Sequence, residues 1–241
     1  MENNLEGYEI TQKSDSISND VSLEVTESTC IKEVYLIRHA ESVENTRIAS
    51  AQRSWEQICK LKAPTKDDLK SSVKVLKFKE NADSLVSDKG KLQIDQLHEG
   101  WWKKRKVDKG YLVVHSPLVR AKETCVGMIG DHNKEFCERL LEMTFLREKT
   151  PKEFLPGNNA SLLRRIDEFQ TWLVQQPERV VFVVGHSQYF RTMLKLDYNF
   201  TNCSVWRVNF DTKTETWLDA PINEFECNVD TDIDNTKETK A

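Results

Sequence analysis

The stretch that decides the fold is Glu33-Val-Tyr-Leu-Ile-Arg-His-Ala-Glu-Ser-Val-Glu-Asn45. Its apolar run ends abruptly in Arg38-His39, and polar residues then lead toward a predicted helix. A buried strand of a parallel sheet delivers reactive side chains in this way, at its carboxyl end and beside a helix N-terminus that can receive an anion. The stretch therefore predicts a first strand over about 33–37 and an anion site around His39.

Two further apolar runs end in the same manner. Val180–Val184 is apolar on both faces, as expected for a central strand between helix layers, and Gly185-His186-Ser187 follows it. Tyr111–Val114 is followed by His115-Ser116-Pro117 and, shortly afterwards, by Arg120. In open α/β sheets, ligands bind at the carboxyl ends of the strands, so we expect these polar residues to converge.

The segments between these runs read as helices. Apolar residues recur at helical spacing at Ile94, Leu97 and Trp101, and again in a long segment that Pro177 stops. Residues 203–210 and 214–218 read as a hairpin or a pair of edge strands. Alternating strands and helices predict a three-layer α/β/α domain with a mainly parallel central sheet.

Charge and composition divide the chain into three parts. Residues 1–32 carry seven acidic and two basic side chains, and residues 220–241 carry six and two, so both are expected to be disordered acidic tails. Residues 33–219 form the expected catalytic domain, within which 46–82 is a lysine-rich insertion or cap. Because the net charge of the whole chain is −4, this middle part is basic overall, which suits an anionic substrate.

Several function classes are disfavoured by the sequence. No apolar run is long enough to cross a bilayer, and the first 20 residues do not resemble a secretory signal. The six cysteines are scattered without metal-ligand spacing, so we expect neither a zinc site nor disulfides, and we expect a cytoplasmic location. The basic run Trp101–Lys106 is interpreted as a solvated helix end rather than a nucleic-acid site.

Four separated blocks resemble the histidine phosphatase superfamily, in its phosphoglycerate mutase-like branch. Leu36–Asn45 is similar to the family's Leu-x-Arg-His-Gly-x-Ser-x-x-Asn signature, and Ser116–Thr124 is similar to its Ser-x-Leu-x-Arg-Ala-x-x-Thr block. Asp83–Gln93 resembles its second helix start, and Gly185–Ser187 resembles its second histidine block. Ala40 stands where the family usually has glycine, which requires a backbone conformation compatible with Cβ. The resemblance covers roughly residues 33–219.

The resemblance implies a site whose chemistry the residue types allow. His39 is the expected nucleophile, because neutral imidazole attacks phosphorus well near pH 7 and becomes phosphohistidine. The expected phosphate ligands are two guanidinium groups, a second histidine and an amide, namely Arg38, Arg120, His186 and Asn45. Since these groups supply the positive charge, we expect neither a metal nor another cofactor.

The general acid is assigned by a Leu-x-Glu context, which resembles the family's acid segment. Phe145-Leu-Arg-Glu-Lys149 matches best, so Glu148 is the expected acid, and Glu142 and Glu153 remain alternatives. His115 is interpreted as structural. Arginines at positions 47, 53, 147 and 191 are candidates for contacts with the non-reacting part of the substrate.

The sequence thus predicts a metal-independent phosphatase that hydrolyses a phosphomonoester through phosphohistidine. The segment after Glu148 lacks the longer Tyr-Gly-rich stretch of the mutases, which favours phosphatase over a phosphoglycerate or sugar-phosphate mutase. A non-catalytic phospho-ligand binding or scaffold protein is the alternative from another class. The expected partner is a small phosphorylated substrate, with a phosphoprotein as the second choice, and neither nucleic acid nor membrane is expected.

Overall fold

The computed structural model of the chain describes residues 30–43, 83–105, 110–130, 137–150, 153 and 157–229. The strands of the described part are β1 Ile31–Arg38, β2 Tyr111–His115, β3 Cys137–Glu142, β4 Val180–Gly185, β5 Val205–Asp211 and β6 Thr216–Phe225. Its α-helices are α1 Asp88–Leu97, α2 Val119–Ile129, α3 Ala160–Val174 and α4 Ser187–Met193. A π-helical turn, His98–Trp102, continues α1, and a 3₁₀ turn, Thr144–Leu146, follows β3.

One six-stranded sheet, in the order β3-β2-β4-β1-β5-β6, carries the fold. Strands β3, β2, β4 and β1 pair with one another in parallel, whereas β5 pairs antiparallel with both β1 and β6. The prediction of a mainly parallel sheet with β4 in its interior is confirmed.

Alternating side chains of the inner strands face two separate hydrophobic cores, because successive residues of a strand point to opposite faces. Tyr35, Ile37 and Phe182 pack with α1 and α2 on one face. Leu36 and Val183 pack with α3 and α4 on the other. The predicted three-layer α/β/α architecture is therefore confirmed.

The helices form where the apolar spacing predicts them. In α3, the four buried residues are Leu162, Ile166, Phe169 and Leu173, at successive helical turns, and each contributes roughly 1.5–3 kcal/mol by leaving water. At the start of α1, the Ser87 side chain accepts a hydrogen bond from the N–H of Gly90 and caps the helix. A Cβ on Gly90 would lie 2.2 Å from the Glu41 carbonyl oxygen, so only glycine lets α1 approach the residues that follow β1.

Two boundaries differ from the prediction. Strand β1 begins at Ile31, and β6 continues to Phe225, so residues 220–225 are part of the sheet and not of a disordered tail. Their polar composition hid the strand because β6 is an edge strand with mostly exposed side chains. Pro221 is compatible with such a position, since an edge strand does not need every N–H for pairing.

The aromatic residues before the basic run belong to the core. Trp101 and Trp102 are buried and pack against Phe182, so they do not form a surface for stacking nucleic-acid bases. The guanidinium of Arg105 lies 3.8 Å above the Tyr35 ring and pairs with Glu33. Arg105 is therefore packed on the fold instead of solvated, which corrects the interpretation of this helix end.

Several predictions fall outside the described residues. They concern Asn45, the 46–82 insertion, most of the N-terminal tail and residues 230–241.

Candidate active site

The register of the sheet brings three strand ends together. Arg38 at the end of β1 pairs with Gly185 at the end of β4, and His115 at the end of β2 pairs with Val184. Beyond these pairs, the N–H of His39 donates to the Gly185 carbonyl oxygen at 3.0 Å. The residues that follow the three strands therefore meet at one edge of the sheet, as the sequence pattern predicts.

His39 is buried in a fixed orientation that exposes one ring nitrogen to the site. Its Nδ1 lies 2.6 Å from the carbonyl oxygen of Ala40. A carbonyl oxygen can only accept, so Nδ1 carries the proton and Nε2 keeps its lone pair. Arg120 donates from Nε to this Nε2 at 3.3 Å, and Asn202 donates from Nδ2 to the His39 carbonyl oxygen at 2.8 Å.

The surroundings keep His39 neutral. Burial lowers the pKa of its imidazole well below 6.5, and the charges of Arg120 and Arg38 lower it further. A neutral imidazole with an unprotonated Nε2 is the nucleophilic form. Ala40 does not have a positive φ, so the alanine at this position strains nothing.

His186 faces His39, with ring centroids 5.0 Å apart and ring planes at 61°. Its Nε2 is 2.7 Å from Ser116 Oγ, and its buried Nδ1 has no hydrogen-bond partner. Burial lowers the pKa of His186 well below 6.5, and His39 and the two guanidinium groups lower it further. The His186 imidazole is therefore neutral at pH 7.

Of the three candidate acids, Glu148 is the one that the fold places beside the histidines. Its Oε2 is 3.5 Å from His186 Nδ1. Burial raises the pKa of the carboxyl group, opposed by the N–H of Lys149, by Arg120 and Arg38, and by the N–H of Tyr189. A carboxyl group with a raised pKa is suited to hold and return a proton.

The two alternative carboxylates have other partners. Glu142 is about half exposed and lies 3.9 Å from Lys122. Glu153 is buried in an ion pair with Arg165 at 2.9 Å. Neither carboxylate contributes to the electrostatic surroundings of His39 or His186.

The two arginines supply positive charge at the same point. Arg38 donates from one terminal nitrogen to the Phe200 carbonyl oxygen at 2.5 Å, and its Nε is buried without a hydrogen-bond partner. Its pKa is lowered by burial, an effect that the Glu148 carboxylate opposes. Arg120 is also buried. Three buried side-chain nitrogen or oxygen atoms in the described part of the chain have no hydrogen-bond partner. Two of them, Arg38 Nε and His186 Nδ1, lie in this site.

The site contains two residues that sequence reasoning did not assign. Ser116 forms a hydrogen bond with His186. The motif Ser116–Thr124 contains this serine, but the sequence analysis gave it no role. Asn202 holds the backbone of His39 from the loop after α4, and its surrounding sequence offered no signal. Asn45, the remaining predicted ligand, is outside the described residues.

A metal ion is poorly suited to this site. His39, Glu148 and His186 offer nitrogen and carboxylate ligand atoms within 4.8 Å of one another. The same atoms face Arg38 and Arg120, whose charges repel a cation and attract an anion. The donor set thus fits a phosphoryl group better than a divalent cation, and the absence of a metal requirement remains a prediction.

The two buried histidines predict a pH dependence of stability. Both are neutral in the folded chain, whereas in the unfolded chain they take up protons below about pH 6.5. We expect the free energy of unfolding to fall as the pH falls below that value, by up to roughly 1.4 kcal/mol per pH unit for each histidine. Urea unfolding of the parent and of His39→Gln/His186→Gln at several pH values measures this pH dependence of the free energy of unfolding. An equally steep pH dependence in the double variant would contradict it.

Comparison with known proteins identifies the fold. No family model and no curated protein matches the sequence. Among solved structures, phosphoglycerate mutase from Bacillus anthracis is 16% identical, with a TM-score of 0.51 over 80% of this chain and 93% of that one. An Escherichia coli protein assigned as an alpha-ribazole-5′-P phosphatase is 12% identical, with a TM-score of 0.53 over 83% and 99%. A mycobacterial hydrolase is 15% identical, with a TM-score of 0.52 over 85% and 95%.

At these identities the comparison shows a shared fold and no more.

None of the described helices has both the length and the apolar character that a membrane span requires.

Proposed function

We propose that this chain, which has the phosphoglycerate mutase-like fold, is a metal-independent phosphatase of the histidine phosphatase superfamily. It hydrolyses a phosphomonoester through a phosphohistidine on His39. The observation that carries this proposal is a neutral His39, whose unprotonated Nε2 accepts a hydrogen bond from Arg120, beside buried nitrogens of Arg38 and His186 that have no hydrogen-bond partner. A nucleophile among buried donors fits a reaction that needs an anion held beside it.

In the first step, the Nε2 lone pair of His39 attacks phosphorus. The bond from phosphorus to the ester oxygen breaks, and its electron pair goes to that oxygen. The Glu148 carboxyl group gives its proton to the departing oxygen, so an alcohol leaves instead of an alkoxide. The hydrogen bond from His39 Nδ1 to the Ala40 carbonyl oxygen persists and stabilises the charge that the ring gains.

In the second step, a water molecule gives a proton to the Glu148 carboxylate while its oxygen attacks the phosphohistidine. The nitrogen–phosphorus bond breaks, its electron pair returns to Nε2, and inorganic phosphate leaves. Glu148 regains the proton that it lost in the first step, so the cycle closes. The raised pKa of Glu148 suits both directions of transfer.

The phosphoryl oxygens are bound by the positively charged groups throughout. Arg38 and Arg120 donate to them, and a bound dianion raises the pKa of His186 so that Nδ1 donates as well. Ser116 holds the opposite edge of the His186 ring at 2.7 Å and keeps Nδ1 directed into the site. Asn45 is proposed as a further donor.

The substrate is a small phosphorylated molecule, with a phosphoprotein as the alternative, and the protein acts in the cytoplasm. Residues 33–219 with the adjoining β6 form the catalytic domain, within which 46–82 is an insertion or cap. A phosphoglycerate or sugar-phosphate mutase would share the first step and would pass the phosphoryl group to a second alcohol. Stimulation by a bisphosphorylated primer distinguishes it from the phosphatase.

We expect purified protein to form a covalent phosphoenzyme in the presence of a metal chelator. Incubation with a ³²P-labelled phosphomonoester and a quench in denaturing detergent should label the chain. The label should survive alkali and be lost in acid, because a phosphohistidine has a phosphoramidate bond. Hydrolysis of 4-nitrophenyl phosphate should continue at the same rate in the chelator. Loss of activity that added divalent metal restores would contradict a metal-independent mechanism.

A protein that binds phosphate without turnover gives a different result. It would take up a phosphonate in calorimetry but would show neither label nor product. That outcome would support the non-catalytic alternative.

A further inference from the structure

The peptide group between Ala40 and Glu41 sets the tautomer of the proposed nucleophile. Its carbonyl oxygen lies 2.6 Å from His39 Nδ1, so Nδ1 carries the proton and Nε2 does not. At the other end of the same peptide group, the N–H of Glu41 donates to Gln93 Oε1 at 2.8 Å. Gln93 is buried in α1 and ends the block Asp83–Gln93, to which the mechanism above gives no role.

The backbone on either side of this peptide group is held by other contacts. The preceding peptide group accepts from Asn202 Nδ2 at 2.8 Å and donates to Thr124 Oγ1 at 2.9 Å. The following one accepts from the N–H of Ser87 at 2.9 Å through the Glu41 carbonyl oxygen. These contacts leave one rotation open, because a planar peptide group can turn about the line that joins its two Cα atoms.

Such a rotation would exchange the group that faces His39. A peptide group presents a carbonyl oxygen on one side and an N–H on the other. If the N–H faced His39, Nδ1 would have to accept, the proton would move to Nε2, and the lone pair that attacks phosphorus would be lost. Gln93 Oε1 can only accept a hydrogen bond, so it binds the N–H and leaves the carbonyl oxygen to His39.

We propose that Gln93 is a positioning residue for His39: it orients the peptide group between Ala40 and Glu41 and thereby selects the tautomer whose Nε2 attacks phosphorus. It acts through this peptide group and not on the substrate. The hydrogen bond to Gln93 also polarises the peptide group, so its carbonyl oxygen better stabilises the charge that the ring gains in phosphohistidine. The tautomer is a property of the fold, whereas its catalytic consequence rests on the proposed function.

Imidazole ¹⁵N NMR tests the tautomer directly and without turnover. Protonated and unprotonated ring nitrogens resonate in separate ranges, and the signals of His39 among the five histidines are those that disappear in His39→Gln. In the parent protein at neutral pH, we expect Nδ1 in the protonated range and Nε2 in the unprotonated range. In Gln93→Met, which keeps the size of the side chain but removes the acceptor, Nε2 should move toward the protonated range.

The rate should change with the tautomer. Gln93→Met should lower kcat/KM for 4-nitrophenyl phosphate by about 10- to 100-fold, because a misdirected nucleophile loses much of the advantage of being held in place. Affinity for phenylphosphonate, a non-hydrolysable analogue, should not fall in calorimetry, since the phosphate-binding groups are unchanged. Gln93→Glu keeps an acceptor oxygen at the same reach and should retain both the tautomer and most of the rate.

A second variant and a matched control separate this role from simple docking of α1. Gln93→Asn has an amide that is one methylene group too short to reach the Glu41 N–H, and it should behave as Gln93→Met does. Glu123→Met is the control, because Glu123 Oε2 also accepts from a backbone N–H at 2.8 Å, that of Val86 in the segment that leads into α1. This N–H belongs to no peptide group that contacts His39, so the control may lose thermal stability but should keep the tautomer and kcat/KM of the parent.

Two results would overturn the inference while leaving the proposed function intact. One is an unprotonated Nε2 in both Gln93→Met and Gln93→Asn. The other is an equal loss of kcat/KM in Glu123→Met and Gln93→Met, which would mean that Gln93 only docks α1. Failure of the proposed function looks different: the parent protein then neither hydrolyses 4-nitrophenyl phosphate nor becomes labelled, and the NMR result still decides whether Gln93 sets the tautomer.

Discussion

Replacing His39 with alanine should reduce kcat/KM for any phosphomonoester by about 10⁴-fold or more. The expected loss is this large because the substitution removes the atom that bonds to phosphorus. The covalent label should disappear as well. Steady-state kinetics with 4-nitrophenyl phosphate and the labelling experiment measure the two effects.

His115→Gln is the matched control for His39→Ala. His115 also follows an apolar strand, is buried, and lies with Nδ1 2.8 Å from the next carbonyl oxygen, as His39 does. His115 does not affect the pKa of His39 or of His186. Its variant should stay within about tenfold of the parent, and thermal unfolding should show that both variants are folded. Full activity in His39→Ala would rule out the phosphohistidine mechanism.

The second large effect is expected for Glu148→Gln, and it should depend on the leaving group. For an alkyl phosphate the loss in kcat should be about 10²–10⁴-fold, because the departing alkoxide needs a proton. Nitrophenolate leaves without one, so the first step with 4-nitrophenyl phosphate should be nearly normal. The second step still lacks its base. We therefore expect a rapid burst of nitrophenolate, slow turnover afterwards and accumulation of phosphoenzyme, all measurable by stopped flow and labelling.

Two other carboxylates provide the controls for Glu148→Gln. Glu142→Gln removes a half-exposed carboxylate and should leave the rate within about twofold. Glu153→Gln breaks a buried ion pair with Arg165, so it should lower the stability of the fold by roughly 3–5 kcal/mol and leave the burst pattern unchanged. If Glu153→Gln produces the burst and Glu148→Gln does not, the assignment of the general acid is wrong.

The parts of the fold that the sequence predicts are those governed by local periodicity. The apolar runs at Leu36, Val113 and Val183 are strands, and the stripe from Leu162 to Leu173 is the buried face of a helix. Burial and period act on each segment separately, so they can be read without knowing its neighbours. The same logic missed residues 220–225, because an edge strand is held by backbone hydrogen bonds that leave little trace in side-chain composition.

The sequence by itself determined the α/β class and the appearance of Arg38-His39 and His186 at strand ends. Tertiary structure decided how these groups relate. The parallel register sets two imidazoles 5.0 Å apart, and the Ala40 carbonyl oxygen selects which nitrogen of His39 carries the proton. The segment after β3 packs against α3 through Phe145, and its course places Glu148, but neither Glu142 nor Glu153, beside the histidines. The reason is physical: burial and long-range contacts set pKa values, tautomers and partners, and residues far apart in sequence supply them.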